Sequence, residues 1–529
     1  MPAAPFDAQR ARRTLFEALL EAAREHGMTK EIVADADGQT LTYRRLIQAA
    51  IVLGGKLEAV CPPGYPVGVL LPNASGAVVT LMALSAYGRT PAMLNFTAGH
   101  RNLASAIRTA PIRTLLTSRR FIDTANLKDV VAHLEAVEPV PGKPVRILYL
   151  EDIRAEIGTA ARLGGAARAL AAAAFHRRRA LTPEKPGVVL FTSGTEGAPK
   201  GVVLSNTNLV ANARQILAHA GEMLTPADVV LNPLPMFHSF GLTAATLMPL
   251  FGGMKVVLYP SPLHYKQVAR LIRQSKATVL FATDTFLQGY ARAAEADDLA
   301  SIRYVIAGAE RVKEQTRTMW SKTGATILEG YGATECSPVI SCNLPQINRP
   351  GSVGPLLPGI ETMLTPVDGI AEGGLLSVRG PNVMSGYLFA HAPGIVHPPE
   401  GGWHSTGDIV TIDADNVVTI RGRAKRFAKI GGEMVSLAAV EALVASLWPD
   451  AQHVVVSLPD DRKGEQLVLV TDKADADKHA LIAHAKAEGI PELWVPRAIL
   501  VVGTIPVMGT GKVDLPATTA LARATRPLL

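Results

Sequence analysis

The chain is predicted to fold as an α/β protein: two α/β subdomains, a β-rich subdomain, and a small α+β C-terminal domain. Three observations predict this. From about residue 186, apolar strand-like runs alternate with amphipathic helical stretches. Residues 28–120 show the same alternation more weakly, which makes a second, related subdomain. After residue 350 Gly and Pro become frequent and the helical periodicity fades. In order, the strand GVVLF (187–191) runs into a glycine loop, and a helix is predicted to begin near Ser205. KVVLY (255–259) precedes a helix over 264–276, and TVLFAT (278–283) precedes another. YVIAGAE (304–310), a helix over 312–323 and TILEGYG (326–332) continue the series. Strands separated by helices mean a parallel sheet covered on both faces. VTIDADNVVTIRG (410–422) reads as a hairpin turning at 413–416. A basic segment, GRAKRFAK (422–429), follows, and then a compact run of helix, strands and helix. The domain boundary is placed at Lys425, dividing the chain into 1–424 and 425–529, with no internal repeat.

Length and composition bound what such a chain can be. At 529 residues it exceeds one ordinary domain, so one large unit with smaller ones is expected. Apolar residues make up 48% and charged ones 19%, which supports a sizeable core and argues against disorder. Cys61, Cys336 and Cys342 are too few and too scattered for a disulfide framework or a zinc site, and suit a reduced, cytoplasmic setting. The first 27 residues form a charged amphipathic helix without the apolar core of a signal peptide. Two uncharged runs, 66–88 and 229–254, are broken by Pro72, Asn73 and Gly76, and by Pro233, Pro235 and Gly241. Such breaks fit buried strand–turn–helix units better than membrane spans.

The net charge of +7 is uneven, since residues 424–529 carry 12 basic and 12 acidic side chains. Part of the excess lies in 154–179, where Arg154, Arg162, Arg168, Arg177, Arg178 and Arg179 face Glu156 alone. That stretch is a solvated helical linker or a surface for an anionic membrane on the inner face of the cell, or for an acidic partner. It holds one aromatic residue and no nucleic-acid motif accompanies it, so nucleic acid is not expected as a partner.

Chemistry concentrates in a series of short motifs. In FTSGTEGAPKG (191–201) a strand delivers Thr192, Ser193, Gly194 and Thr195, then Gly197, Pro199, Lys200 and Gly201. Glycines let backbone N–H groups approach phosphate oxygens, and the hydroxyls and the Lys200 ammonium add hydrogen bonds and charge. The spacing differs from G-x-x-x-x-G-K-[ST], so this is not the ordinary NTPase loop. Downstream come PLPMFHSFG (233–241), AGAE (307–310), EGYGATE (329–335), STGD (405–408), RGRAK (421–425) and IPVMGTGKVD (505–514).

In this order the motifs resemble the adenylate-forming superfamily of acyl-CoA synthetases, luciferases and peptide-synthetase adenylation domains, over nearly the whole chain. The resemblance implies ATP and Mg²⁺ as cofactors and a C-terminal domain that is mobile. It assigns His238 to the acyl pocket beside the carboxylate, and Gly308, Ala309 and Glu310 to packing on adenine. Gly330, Tyr331 and Gly332 would carry the ring that stacks on adenine; Thr334 would bind phosphate and Glu335 would hold Mg²⁺. Asp408 and Arg423 would take the ribose hydroxyls, Lys425 would be the hinge, and Lys512 the catalytic lysine.

Four stretches look like one branch: YPSPLHYKQV (259–268), TILEGYGATECSPV (326–339), GPNVMSGYL (380–388) and GRAKRFAKIGGEMVSLAAVE (422–441). They resemble the acyl-ACP synthetase portion of the bifunctional 2-acylglycerophosphoethanolamine acyltransferase/acyl-ACP synthetases. That implies a fatty acid as substrate and acyl carrier protein as acceptor in phospholipid remodelling, with Lys425, Arg426, Lys429 and the Arg162–Arg179 cluster as docking charges. A long-chain acyl-CoA synthetase using CoA and a catalytically inactive nucleotide-binding scaffold are the alternatives. The H-x-x-x-x-D motif of the acyltransferase half has no counterpart near the start of this sequence.

Overall fold

The computed structural model describes residues 6–192, 199–368, 370, 372–430, 433–460, 464–507 and 513–525. It divides into two compact units. The first comprises Met1–Glu361, Val378–His404 and Asp415–Val417; the second comprises Thr362–Ser377, Ser405–Ala414 and Val418–Leu529.

The first unit holds two eight-stranded sheets, the expected number of α/β layers but with other membership: Glu31–Asp35 and Thr40–Thr42 join the strands of 229–342, and Pro186–Thr192 and Lys200–Ser205 join those of 67–149. One runs in the order Val339–Cys342, Thr326–Gly332, Tyr304–Ala307, Val279–Ala282, Val229–Asn232, Lys255–Leu258, Glu31–Asp35, Thr40–Thr42. Its six inner strands pair in parallel, and the two edge strands are antiparallel. The inner strands are short β-branched runs buried on both faces, as a helix-covered parallel sheet requires. The other sheet pairs Arg146–Tyr149, Thr114–Thr117, Val67–Val69, Pro91–Met93 and Pro186–Thr192 in parallel. It then continues antiparallel through Lys200–Ser205, Gly386–Phe389 and Ala392–His397.

Here the structure corrects one expectation. The glycine loop does not lead straight into a helix: the chain returns as the antiparallel strand Lys200–Ser205, and the helix Asn206–Ala220 follows. KGVVLS is buried along most of its length, and an apolar run of that size reads alike as strand or helix. The helix itself starts where expected. Ser205 Oγ accepts from Asn208 N at 3.0 Å, and Asn208 Oδ1 accepts from Ser205 N at 2.8 Å, so two donors at the helix start are satisfied reciprocally.

The uncharged run 66–88 is the strand Val67–Val69 and the helix Ser75–Ala86, held at its start by Ser75 N donating to Asp35 Oδ1 at 2.7 Å. Among the described residues no helix is long and apolar enough to cross a membrane. One core cluster runs from Leu15 and Phe16 through Tyr43, Leu81, Val210 and Leu250 to Trp320.

Glu361–Thr365, Gly374–Arg379, His404–Ile412 and Val418–Arg423 form a four-stranded sheet in that order, most of whose residues belong to the second unit. The last two strands are the expected hairpin, with Asn416 at φ +59° in the turn. A five-stranded sheet packs with the helix Leu437–Leu447, whose Ser436 cap accepts from Ala439 N at 3.3 Å. Thr362–Ser377 and Ser405–Ala414 thus group with the C-terminal residues, although they precede Lys425 in sequence. Their membership comes from the sheet's cross-strand pairing, which chain order does not reveal.

Candidate active site

The glycine loop is the connection of a β-hairpin. Thr192 and Lys200 are cross-strand partners, and Phe191 opposes Gly201 one step further in. Ser193, Gly194, Thr195 and Gly197 lie outside the described residues. Lys200 can be placed: its Nζ stands 5.3 Å from the ring centroid of Tyr387 and 5.5 Å from that of Phe389. Both rings belong to Gly386–Phe389, whose Tyr387 and Leu388 pair with Val202 and Gly201. A Cβ on Gly201 would lie 3.1 Å from Leu388 Cβ, so the small residue lets this strand close against the foot of the loop. An ammonium over two aromatic faces is held by their quadrupoles without being neutralised.

The same tyrosine reaches the second motif. Tyr387 OH donates to Glu335 Oε1 at 2.7 Å. Burial raises the pKa of the Tyr387 hydroxyl, and the neighbouring Glu335 charge raises it further, so the phenol stays protonated and keeps donating. Glu335 sits in the single turn Thr334–Cys336, where Met384 N donates to its carbonyl at 2.7 Å. The chain can enter this turn because residue 332 is glycine: a Cβ there would fall 2.0 Å from Pro338 O.

Thr334 links the third motif, since Ser239 Oγ donates to Thr334 Oγ1 at 3.4 Å. Behind Ser239 the chain forms the π-helix Phe240–Leu247, a rare geometry that recurs at functional sites. Its entry is tight, because a Cβ on Gly241 would meet Pro235 O at 2.4 Å. His238 is half-buried beside Phe237, with ring centroids 4.8 Å apart, and Phe96 abuts Phe237 edge-on at 5.0 Å. AGAE arrives on the other side: a Cβ on Gly308 would lie 3.1 Å from Phe240 Cζ. Ala309 takes a left-handed φ of +70°, an unusual backbone state for alanine. Glu310 Oε2 accepts from Thr285 Oγ1 at 2.9 Å and from Thr285 N at 3.2 Å, so this carboxylate braces the strand end. Tyr331 is buried at the end of Thr326–Gly332, cross-strand from Ser341.

In the first unit, then, Thr192, His238, Gly308, Ala309, Glu310, Gly330, Tyr331, Gly332, Thr334 and Glu335 fall at or beyond the carboxyl ends of strands. Lys200 alone begins its strand, as the second arm of the hairpin. Crevices at that edge are where open α/β sheets take ligands. Tyr387 is the functional candidate that sequence reasoning missed.

In the second unit Asp408 and Arg423 are cross-strand partners, and Arg423 Nε stands 3.2 Å from Asp408 Oδ1. The Asp408 side chain is 8% exposed and that of Arg423 74%. Asp408 N donates to Thr406 Oγ1 at 3.1 Å, which fixes the STGD backbone. Lys425 lies in the turn Ala424–Arg426. Lys512 lies outside the described residues; on either side of 508–512, Val507 and Val513 pair as a bridge.

Arg426 corrects another expectation. Its guanidinium donates to Glu441 Oε1 at 2.5 Å and to Val455 O at 3.0 Å, and its side chain is 16% exposed. It ties the helix Leu437–Leu447 to the sheet and is not free to dock a partner. Among the described residues no group of three His, Cys, Asp or Glu side chains is arranged to hold a metal ion.

The sequence profile described as "AMP-binding enzyme" matches residues 19–388. The long-chain-fatty-acid–CoA ligase of Bacillus subtilis (strain 168) is 26% identical over 514 residues, covering 90% of this chain and 89% of that one. The long-chain-fatty-acid–CoA ligase of Yersinia pestis is 28% identical over 334 residues, 61% of this chain and 59% of that protein's length. ATP-bound MatB from Rhodopseudomonas palustris superposes with a TM-score of 0.78 at 22% identity, covering 98% of this chain and 99% of that one. This last likeness establishes the fold: mixed α/β, with a large N-terminal and a smaller C-terminal domain.

Proposed function

The chain belongs to the AMP-binding enzyme family, and from that premise we propose that it activates a fatty acid with ATP and passes the acyl group to a pantetheine thiol. The observation that carries the reading is the convergence of Lys200 and Glu335 on Tyr387. A cation suited to phosphate and a carboxylate suited to a divalent ion are held one side chain apart at the strand ends.

Glu335 is half-buried and offers hard oxygens; one carboxylate suits Mg²⁺, which takes its other ligands from phosphates and water. Bound there, the ion would offset the triphosphate charge. Lys200 and the hydroxyls of Thr192, Ser193 and Thr195 would hold the β and γ phosphates, with Gly194 and Gly197 allowing close approach. Thr334 would bind the α phosphate. Tyr331, beside Gly330 and Gly332, would stack on adenine against the strand end at Gly308, Ala309 and Glu310. Asp408 and Arg423 would take the ribose hydroxyls, and His238 would orient the acid.

A carboxylate oxygen of the acid attacks the α phosphorus, a new P–O bond forms, and the α–β phosphoanhydride breaks to release pyrophosphate. The site's work is positioning and charge stabilisation, with Lys512 on the reacting phosphate. The thiol sulfur then attacks the acyl carbonyl carbon, the bond to AMP breaks, and the thiol proton passes to solvent. In this reading Lys425 is the hinge at the head of the domain, residues 425–529, that carries Lys512.

The acceptor is proposed to be acyl carrier protein, in phospholipid remodelling; the support is the resemblance of residues 422–441. The names of the relatives favour CoA as the second reading. Fatty-acid-dependent ATP–pyrophosphate exchange tests the first half, and its absence from the wild-type protein would leave an inactive nucleotide-binding scaffold. Thioester formation with each acceptor tests the second half, and rates with CoA equal to or above those with acyl carrier protein overturn the carrier-protein reading.

A further inference from the structure

The basic stretch 154–179 folds as three helices, Leu150–Ala155, Thr159–Leu170 and Ala172–Arg177. The middle helix is amphipathic in the wrong sense for a soluble surface. Its inner face is built from Gly165 and Ala169, and a Cβ on Gly165 would meet Val52 Cγ2 at 2.3 Å. Its leucines point outward: Leu163 is 67% exposed and Leu170 is 88% exposed, the two most exposed large hydrophobic residues among those described. They are seven positions apart, two helical turns, and so share one stripe.

The next helix anchors the assembly from within. His176 is buried, its Nε2 2.8 Å from Thr14 Oγ1 and its Nδ1 3.0 Å from Ala86 O. The leucine stripe is therefore presented by a docked helix. One exposed leucine is ordinary, but a helix that buries its glycine and exposes both leucines has its largest apolar side chains on the face that soluble packing leaves to polar residues.

Charge says what would cover it. Arg154, Arg162, Arg177 and Arg178 are exposed, and none has a carboxylate partner among the described residues. Two of them bond to backbone instead: Arg162 Nε donates to Ile157 O at 3.2 Å and Arg177 Nε to Ala173 O at 3.4 Å. Arg179 differs, being paired with Glu58 at 2.7 Å. Apolar side chains bracketed along the chain by unneutralised arginines are the recipe for an interfacial helix on an anionic bilayer.

We propose that Thr159–Leu170 and its flanking arginines form a docking surface for anionic lipid bilayers, with Leu163 and Leu170 entering the headgroup boundary. The proposal is independent of the adenylation reading, because binding is read without turnover. The full chain is sedimented with vesicles of phosphatidylcholine alone and of phosphatidylcholine mixed with phosphatidylglycerol. Binding to the mixed vesicles that weakens with salt is expected. The double variant L163D/L170D and the quadruple variant R154Q/R162Q/R177Q/R178Q should each lower the bound fraction about tenfold. The milder L163A/L170A guards against misfolding, and ATP–pyrophosphate exchange with a short, water-soluble fatty acid should stay at the wild-type rate in all three. Wild-type protein that ignores both vesicle types overturns the proposal, as do variants that bind like wild type. Loss of carrier-protein-dependent transfer with unchanged vesicle binding overturns it too, by assigning the face to a protein partner.

Discussion

Tyr387 shows how much of a site depends on single side chains that a motif does not advertise. Its hydroxyl holds Glu335 while its ring lies beneath Lys200, so removing only the oxygen separates the two roles. Tyr387→Phe keeps the ring and abolishes a hydrogen bond to a charged acceptor, of a kind that contributes about 1.5–3 kcal/mol. The expected result is a ten- to hundred-fold loss of kcat/KM for MgATP at nearly unchanged melting temperature, about what that range converts to. An unchanged KM for MgATP in pyrophosphate exchange would show that the tyrosine does not position the carboxylate. Lys512→Ala, argued from the proposed mechanism, should abolish adenylation and leave thioester formation from supplied acyl-adenylate largely intact. Equal loss of both half-reactions would contradict that role. Lys200, Glu335 and Asp408 could be chosen from the sequence because each stands in a recognisable motif. Tyr387 could not, because its function arises from the pairing of Gly386–Phe389 with Lys200–Ser205, and the two lie far apart in the chain.

At the level of elements, glycines and caps decide whether those side chains arrive. Gly332→Ala would place a Cβ 2.0 Å from Pro338 O, a contact that only backbone movement relieves. Overpacking of this kind typically costs about 1–3 kcal/mol, and here it would also displace the turn that holds Glu335. A lower melting temperature together with weakened pyrophosphate exchange is expected; a variant as stable and active as wild type would mean the turn is more pliable than its geometry implies. Ser205→Ala removes the cap of the helix Asn206–Ala220 and should cost about 1 kcal/mol in stability, read by denaturant unfolding. The position of that cap was legible in advance, because Ser followed by a helical period is a local signal. The strand Lys200–Ser205 before it was not, because a fully buried strand carries no alternation by which to recognise it.

For the whole molecule, the buried His176 and the half-buried His219 set an acid limit on stability. Burial lowers the pKa of His176 and of His219, each from an ordinary value of 6.5. Each takes up its proton at a lower pH in the fold than in the unfolded chain, so folding stability must fall as pH drops below 6.5. Full stability from these groups is present above pH 6.5 and declines on acidification, with at most about 1.4 kcal/mol per pH unit for each histidine. Melting temperature followed against pH should drop below that point, less so in His219→Gln; an identical pH profile in the variant would remove His219 from the account. By itself the sequence determined the α/β class, most strand positions and the motif residues, because these rest on local periodicity and local composition. Only the tertiary structure decided that the glycine loop closes a hairpin, that Arg426 is spent on Glu441, that Tyr387 joins Lys200 to Glu335, and that Leu163 and Leu170 face outward. Each of these depends on which distant segments are neighbours, and pairing between distant segments leaves no local trace in the chain.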